Sequence, residues 1–121
     1  MSNELTFEEL SSIFDKALTS ATRAARHYHE VINEGEDRGC CGFARVEIEE
    51  YKGKKIRGNT KVGKLLKEYG LSQRSDKVFY FPIGAFSLPT QSLEVKEAGA
   101  AEFARVLKEN GFAAYDYSVM D

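Results

Sequence analysis

The stretch Gly58-Asn59-Thr60-Lys61-Val62-Gly63-Lys64-Leu65 carries the G-x-x-x-x-G-K spacing of a loop that cradles phosphates. In such a loop, backbone N–H groups meet the phosphate oxygens, the lysine adds charge, and a Ser or Thr after the lysine holds magnesium. Leu65 occupies that last position, and the stretch follows a basic turn instead of a strand, so triphosphate hydrolysis is not expected. The surrounding charge says more. Lys52, Lys54, Lys55, Arg57, Lys61, Lys64 and Lys67 fall within sixteen residues that contain no acid, whereas the first 37 residues hold eight acids. A solvated basic face is the plain reading of such a run. An anion site is the sharper one: Asn59 or Thr60 caps a helix whose first-turn N–H groups suit oxyanions, with Lys61 and Lys64 beside them. Phe43 and Arg45 are then candidates for holding a base or sugar. Gln91 and Ser92, which open a later helix, offer a second set of donors if the two helix N-termini converge. The same basic segment, 52–67, would alternatively grip nucleic acid, with affinity that falls steeply with salt.

Cys40 and Cys41 are adjacent, unlike the spaced pairs of metal sites, and His27 and His29 lie on different sides of a helix. No metal or cofactor is expected. A cysteine enzyme, with Cys40 or Cys41 as nucleophile and His27 or His29 as base, is the alternative to buried thiols that pack as small hydrophobes.

The elements that must position these residues follow from local signals. Thr6 and Glu9 form a capping box, and Leu5 and Leu10 a hydrophobic staple, at the start of a long helix. It runs from Phe7 to about Glu34, roughly 40 Å, with Gly35 as terminator. Leu10, Phe14, Ala17, Ala21, Ala24, Tyr28 and Val31 form a heptad-like seam along it. Such a seam lies on the chain's own sheet or on a second subunit, and its length favours a homo-oligomer. The strand from Gly39 to about Tyr51 alternates cleanly: Ala44, Val46 and Ile48 on one face; Phe43, Arg45, Glu47 and Glu49 on the other. A short helix follows, with Val62, Leu65, Leu66 and Tyr69 as its inner face and Gly70 as its end. Leu71 to Asp76 reads as a polar connection, Lys77 to Ile83 as a strand, and Gly84 to Leu88 as a short third strand. Thr90 or Ser92 caps a helix with Leu93, Ala100, Phe103, Ala104 and Leu107 inside. Gly111 ends it, and Phe112 to Val119 is the last strand.

The order α-β-α-β-(β)-α-β predicts an α+β fold: a three- or four-stranded sheet with helices mainly on one face, whose strand-helix-strand units form crossovers. At 121 residues, 42% hydrophobic and 30% charged, the chain is one globular domain, 1–121. A net charge of -2 gives no general pull toward nucleic acid or membrane. No apolar run approaches a bilayer span, Met1 to Leu10 lacks the features of a signal peptide, and two adjacent cysteines suit a reducing compartment.

Several stretches together resemble a family of small phage-encoded proteins of unassigned function: Cys41-Gly42-Phe43-Ala44 with Val46 and Ile48; Lys64 to Gly70; Gln91-Ser92-Leu93-Glu94; Lys96-Glu97-Ala98; Phe103 to Leu107; Gly111; Ala114-Tyr115; and Asp121. The likeness covers roughly the last 80 residues. It implies a viral accessory protein in the host cytoplasm and supplies no reaction. With no acid-base or metal set apparent, the expected function is non-enzymatic binding that counteracts a host process, as in immune evasion. The expected partner is a small phosphorylated ligand, with a host protein the other candidate.

Overall fold

A computed structural model describes residues 4–35, 42–74, 78–83 and 92–120 of the chain. The fold is α+β. Helix α1 (Phe7–His27) starts as its capping signals dictate: Glu9 N–H donates to Thr6 Oγ1, and Thr6 N–H donates back to Glu9 Oε1, each at 3.2 Å. The helix continues as a π-helical turn, Tyr28–Ile32. It is followed by strand β1 (Gly42–Tyr51), β2 (Lys54–Lys55), α2 (Lys61–Tyr69), β3 (Ser72–Gln73), β4 (Phe79–Ile83), α3 (Leu93–Glu109) and β5 (Phe112–Met120).

Strand β1 is the axis of the sheet. Strand β5 pairs along one edge, from Gly42↔Met120 to Tyr51↔Phe112, and β4 pairs along the other, from Ala44↔Ile83 to Ile48↔Phe79. Strand β2 folds back on the same edge at Glu50↔Lys55, and β3 pairs with the far side of β4. Every pairing among the described residues is antiparallel. Strands β1 and β3 are therefore mutually parallel with β4 between them, and β4 and β5 are parallel with β1 between them. Both helical connections are split β-α-β units, a ferredoxin-like strand order. The first unit closes on Ser72-Gln73, inside the stretch that sequence marks as a polar connection. Two polar residues have no strand signature of their own; their pairing with β4 makes the strand. The strand expected at 84–88 lies outside the described residues.

Ala44, Val46 and Ile48 face the helices and are buried, as the alternation requires. Helix α3 packs on β1 and β5, and α1 packs mainly on α3. Because α3 has neighbours on two sides, it buries Val95, Lys96 and Val106 as well as Leu93, Ala100, Phe103, Ala104 and Leu107. The α1 seam, expected on the chain's own sheet or on a second subunit, packs for most of its length on α3 of the same chain. Leu10, Phe14, Ala17 and Ala21 are fully buried within the single chain. Ala25 is buried with them, and the helix α1 packs on, α3, buries small residues of its own at Gly99, Ala100 and Ala104. Only the end of the seam, at Val31, stays exposed, together with its neighbour Ile32.

Phe14 lies where the layers meet. Its ring centroid is 5.1 Å from Tyr69 of α2, 5.8 Å from Phe103 of α3 and 5.7 Å from Phe112 of β5. Tyr69 in turn donates its hydroxyl proton to Asp15 Oδ1 at 2.8 Å. Burial first, then this bond and the Asp15 charge, push the phenol from its ordinary 10.0 up to about 12. The folded state thus favours neutral tyrosine. Its contribution is complete below about pH 10 and is lost as pH rises through about 12. Urea unfolding across that window should show wild-type stability falling more steeply than that of Tyr69→Phe. Parallel slopes would show that Tyr69 does not carry the alkaline loss.

Candidate functional site

The loop after β2 folds against the end of β1, where Ile56 N–H donates to the Glu49 carbonyl at 2.9 Å. The pairing of β1 with β5 slips between Ile48 and Glu50, and a bulge of this kind re-aims side chains at a strand end. On the other edge of β1, pairing passes from β4, which stops at Ile48, to β2, which starts at Glu50. A cavity of about 560 Å³ opens there. Its apolar lining is Ile48, Ile56 and Val78; its polar lining is Lys55, Arg57, Asn59, Gln73 and the Gly58 backbone, with Glu49 and Glu50 also present. That volume falls within the range of small-ligand pockets. Two cations and two carboxylates around an apolar floor suit a ligand that is anionic at one part and rich in hydrogen-bond donors at another.

Of the ligand-binding residues expected from sequence, Asn59 lines this cavity; among the described ones, Phe43, Arg45, Thr60, Lys61, Lys64 and Ser92 are not part of its lining. Thr60 is consumed by the cap of α2: its Oγ1 accepts from Gly63 N–H at 3.1 Å and donates to the Arg57 carbonyl at 2.7 Å. Lys61 is ion-paired with Glu4, and Lys64 is exposed on the first turn of α2. The glycine spacing that resembles a phosphate loop has a steric origin at Gly63, where a Cβ would stand 1.9 Å from the Arg57 carbonyl oxygen.

Phe43 and Arg45 lie on the uncovered face of the sheet. Phe43 is also seven residues along β1 from Glu50, roughly 23 Å. Arg45 Nε donates to Glu47 Oε2 at 2.8 Å, and its guanidinium stands 4.5 Å from the centroid of the Tyr117 ring. Arg74 closes on the same carboxylate oxygen at 2.5 Å. Ser92 sits at the N-cap position of α3, yet its hydroxyl donates to Glu94 Oε2 at 3.2 Å instead of capping. That helix start packs beside Gly42: Lys96 Nζ donates to the Gly42 carbonyl at 2.7 Å and lies 5.5 Å from the Phe43 ring centroid. The N-termini of α2 and α3 therefore sit at opposite ends of β1 and do not converge. Gln91, Cys40 and Cys41 lie outside the described residues; His27 is exposed and His29 half-buried.

Lys55 and Arg57 were visible to sequence reading only as members of a basic run. Glu49, Glu50 and Gln73 carried no signal, because what brings them together is the change of partner along one edge of β1. Comparison with protein-family models, with curated proteins and with solved structures finds no match. Among the described residues, no group of three metal-ligating side chains assembles, and no helix is long and apolar enough to cross a membrane.

Proposed function

We propose that this chain is a non-enzymatic binding protein that holds a small phosphorylated, nucleotide-like ligand in the cavity at the end of β1. The observation that carries the reading is the convergence of Lys55, Arg57 and Asn59 on one cavity with an apolar floor. Arg57 suits a phosphate because its planar fork donates two parallel hydrogen bonds, and Lys55 adds a point charge. Ile48, Ile56 and Val78 suit the flat face of a base. Glu49 and Glu50 suit its amino groups or the hydroxyls of a sugar, and they repel a bare polyphosphate. The resemblance to small phage-encoded proteins extends the proposal: the ligand is a host nucleotide signal, sequestered in the host cytoplasm to blunt a defence.

The test is to incubate the protein with a nucleotide extract of bacterial cells, wash, denature and identify what is released by mass spectrometry. An intact phosphorylated compound is the expected product. Arg57→Ala removes charge-assisted hydrogen bonds worth about 1.5–3 kcal/mol, so retention should fall by roughly ten- to a hundredfold. Lys64→Ala, outside the cavity, should leave it unchanged. If nothing is retained, or if Arg57→Ala binds like the parent, the cavity is not the site. Release of a chemically altered product would make the protein an enzyme.

A further inference from the structure

We propose that two copies of this chain pair edge to edge through β5, antiparallel across a twofold axis, so that their sheets become one. The two edges of the sheet differ. Strand β3 is only two residues long, and so short an edge resists pairing. Strand β5 spans nine residues and contains no proline, lysine or arginine. It pairs with β1 along its length, and among the described residues no strand pairs with its other edge. A long edge of this kind presents a row of N–H and C=O groups that a further strand can satisfy.

The side chains of β5 select a second copy of itself as that strand. Tyr115, Tyr117 and Val119 stand on the uncovered face at 50%, 48% and 44% exposure. A twofold axis normal to the sheet sets open-face residues opposite open-face residues. With the axis at Tyr117, that ring meets its own counterpart, and Tyr115 and Val119 each face the other across the two strands. One aromatic pair and two aromatic–β-branched pairs result, the combinations that favour cross-strand contact. On the helix side, the same register sets Asp116 opposite Ser118, whose hydroxyl already donates to Glu97 of its own chain at 2.7 Å. Moving the axis to Asp116 would oppose two carboxylates, which is unfavourable. Moving it to Tyr115 would leave Val119 beyond the paired tyrosines. The ligand cavity lies on the other edge of β1, so assembly leaves it open and is independent of the proposed ligand.

Sedimentation equilibrium of the full chain at tens of micromolar should give twice the monomer mass. Tyr117→Glu, which opposes two carboxylates at the axis while facing Arg45 of its own chain, should give the monomer mass with an unchanged far-UV circular dichroism spectrum. The register has its own readout, which stands even if Tyr117→Glu fails to fold. In a Cys40→Ser, Cys41→Ser background, Tyr117→Cys should cross-link two chains on mild oxidation. Asp116→Cys should not, because its counterpart is two residues away along the partner strand, beyond disulfide reach. A wild-type chain that remains monomeric overturns the proposal. So does a dimer that cross-links through Asp116→Cys and not through Tyr117→Cys.

Discussion

Phe14→Ala should cost about 3–5 kcal/mol of folding stability, the range for removing a fully buried aromatic ring. The ring is 0% exposed and touches aromatic partners from α2, α3 and β5 at once, so no single neighbour can move to fill the space. A domain of this size is stable by only about 5–15 kcal/mol, so the substitution removes a large share of the total. Urea denaturation followed by circular dichroism measures it. A loss below about 1 kcal/mol would mean that α1 does not depend on this contact to dock. Tyr69 loses its ring partner in the same variant, so its hydrogen bond to Asp15 should loosen as well.

Gly63→Ala should destabilise the fold by about 1–3 kcal/mol, and it should weaken binding at the cavity more than its distance from the lining suggests. Two effects oppose each other. Alanine in place of a helix glycine contributes up to about 1 kcal/mol in favour of α2. Its Cβ, however, would stand 1.9 Å from the Arg57 carbonyl oxygen and 2.9 Å from the carbonyl carbon, and backbone cannot rotate aside as a side-chain tip can. Overpacking costs of about 1–3 kcal/mol, with backbone shifts, are usual for such a clash. The shift moves Arg57 and the adjoining Gly58 and Asn59, all of which line the cavity. Thermal unfolding and ligand retention, measured on the same preparation, test the two halves separately. Unchanged stability would show that the turn has slack, and unchanged retention in a destabilised variant would separate the Arg57 backbone from the site.

The features that sequence settled are those decided within one turn of chain. Thr6 and Glu9, and Gly70 with Leu71, each satisfy backbone groups a few residues away, so their roles follow from residue type and spacing alone; a cap of α2 was equally legible, though the choice of Thr60 over Asn59 was not. The alternation of β1 is also local, and its inner and outer faces are as read. Burial on a second side is not local. The inner face expected for α3 omits Val95 and Val106, because a helix packed on both a sheet and another helix has no single apolar stripe to find. The seam of α1 was equally ambiguous: a row of small and apolar residues shows that something covers it, and only packing showed that α3 of the same chain covers most of it. The candidate site is the extreme case. Lys55, Arg57 and Asn59 belong to one stretch, but Glu49 and Glu50 come from β1 and Gln73 from a strand that exists only by pairing. Sequence determined that a basic, capped turn would be present. Tertiary structure decided which of its charges meet a cavity and which are spent on Glu4 or on water, because cross-strand pairing depends on partners distant in the chain and leaves no periodic trace in either partner.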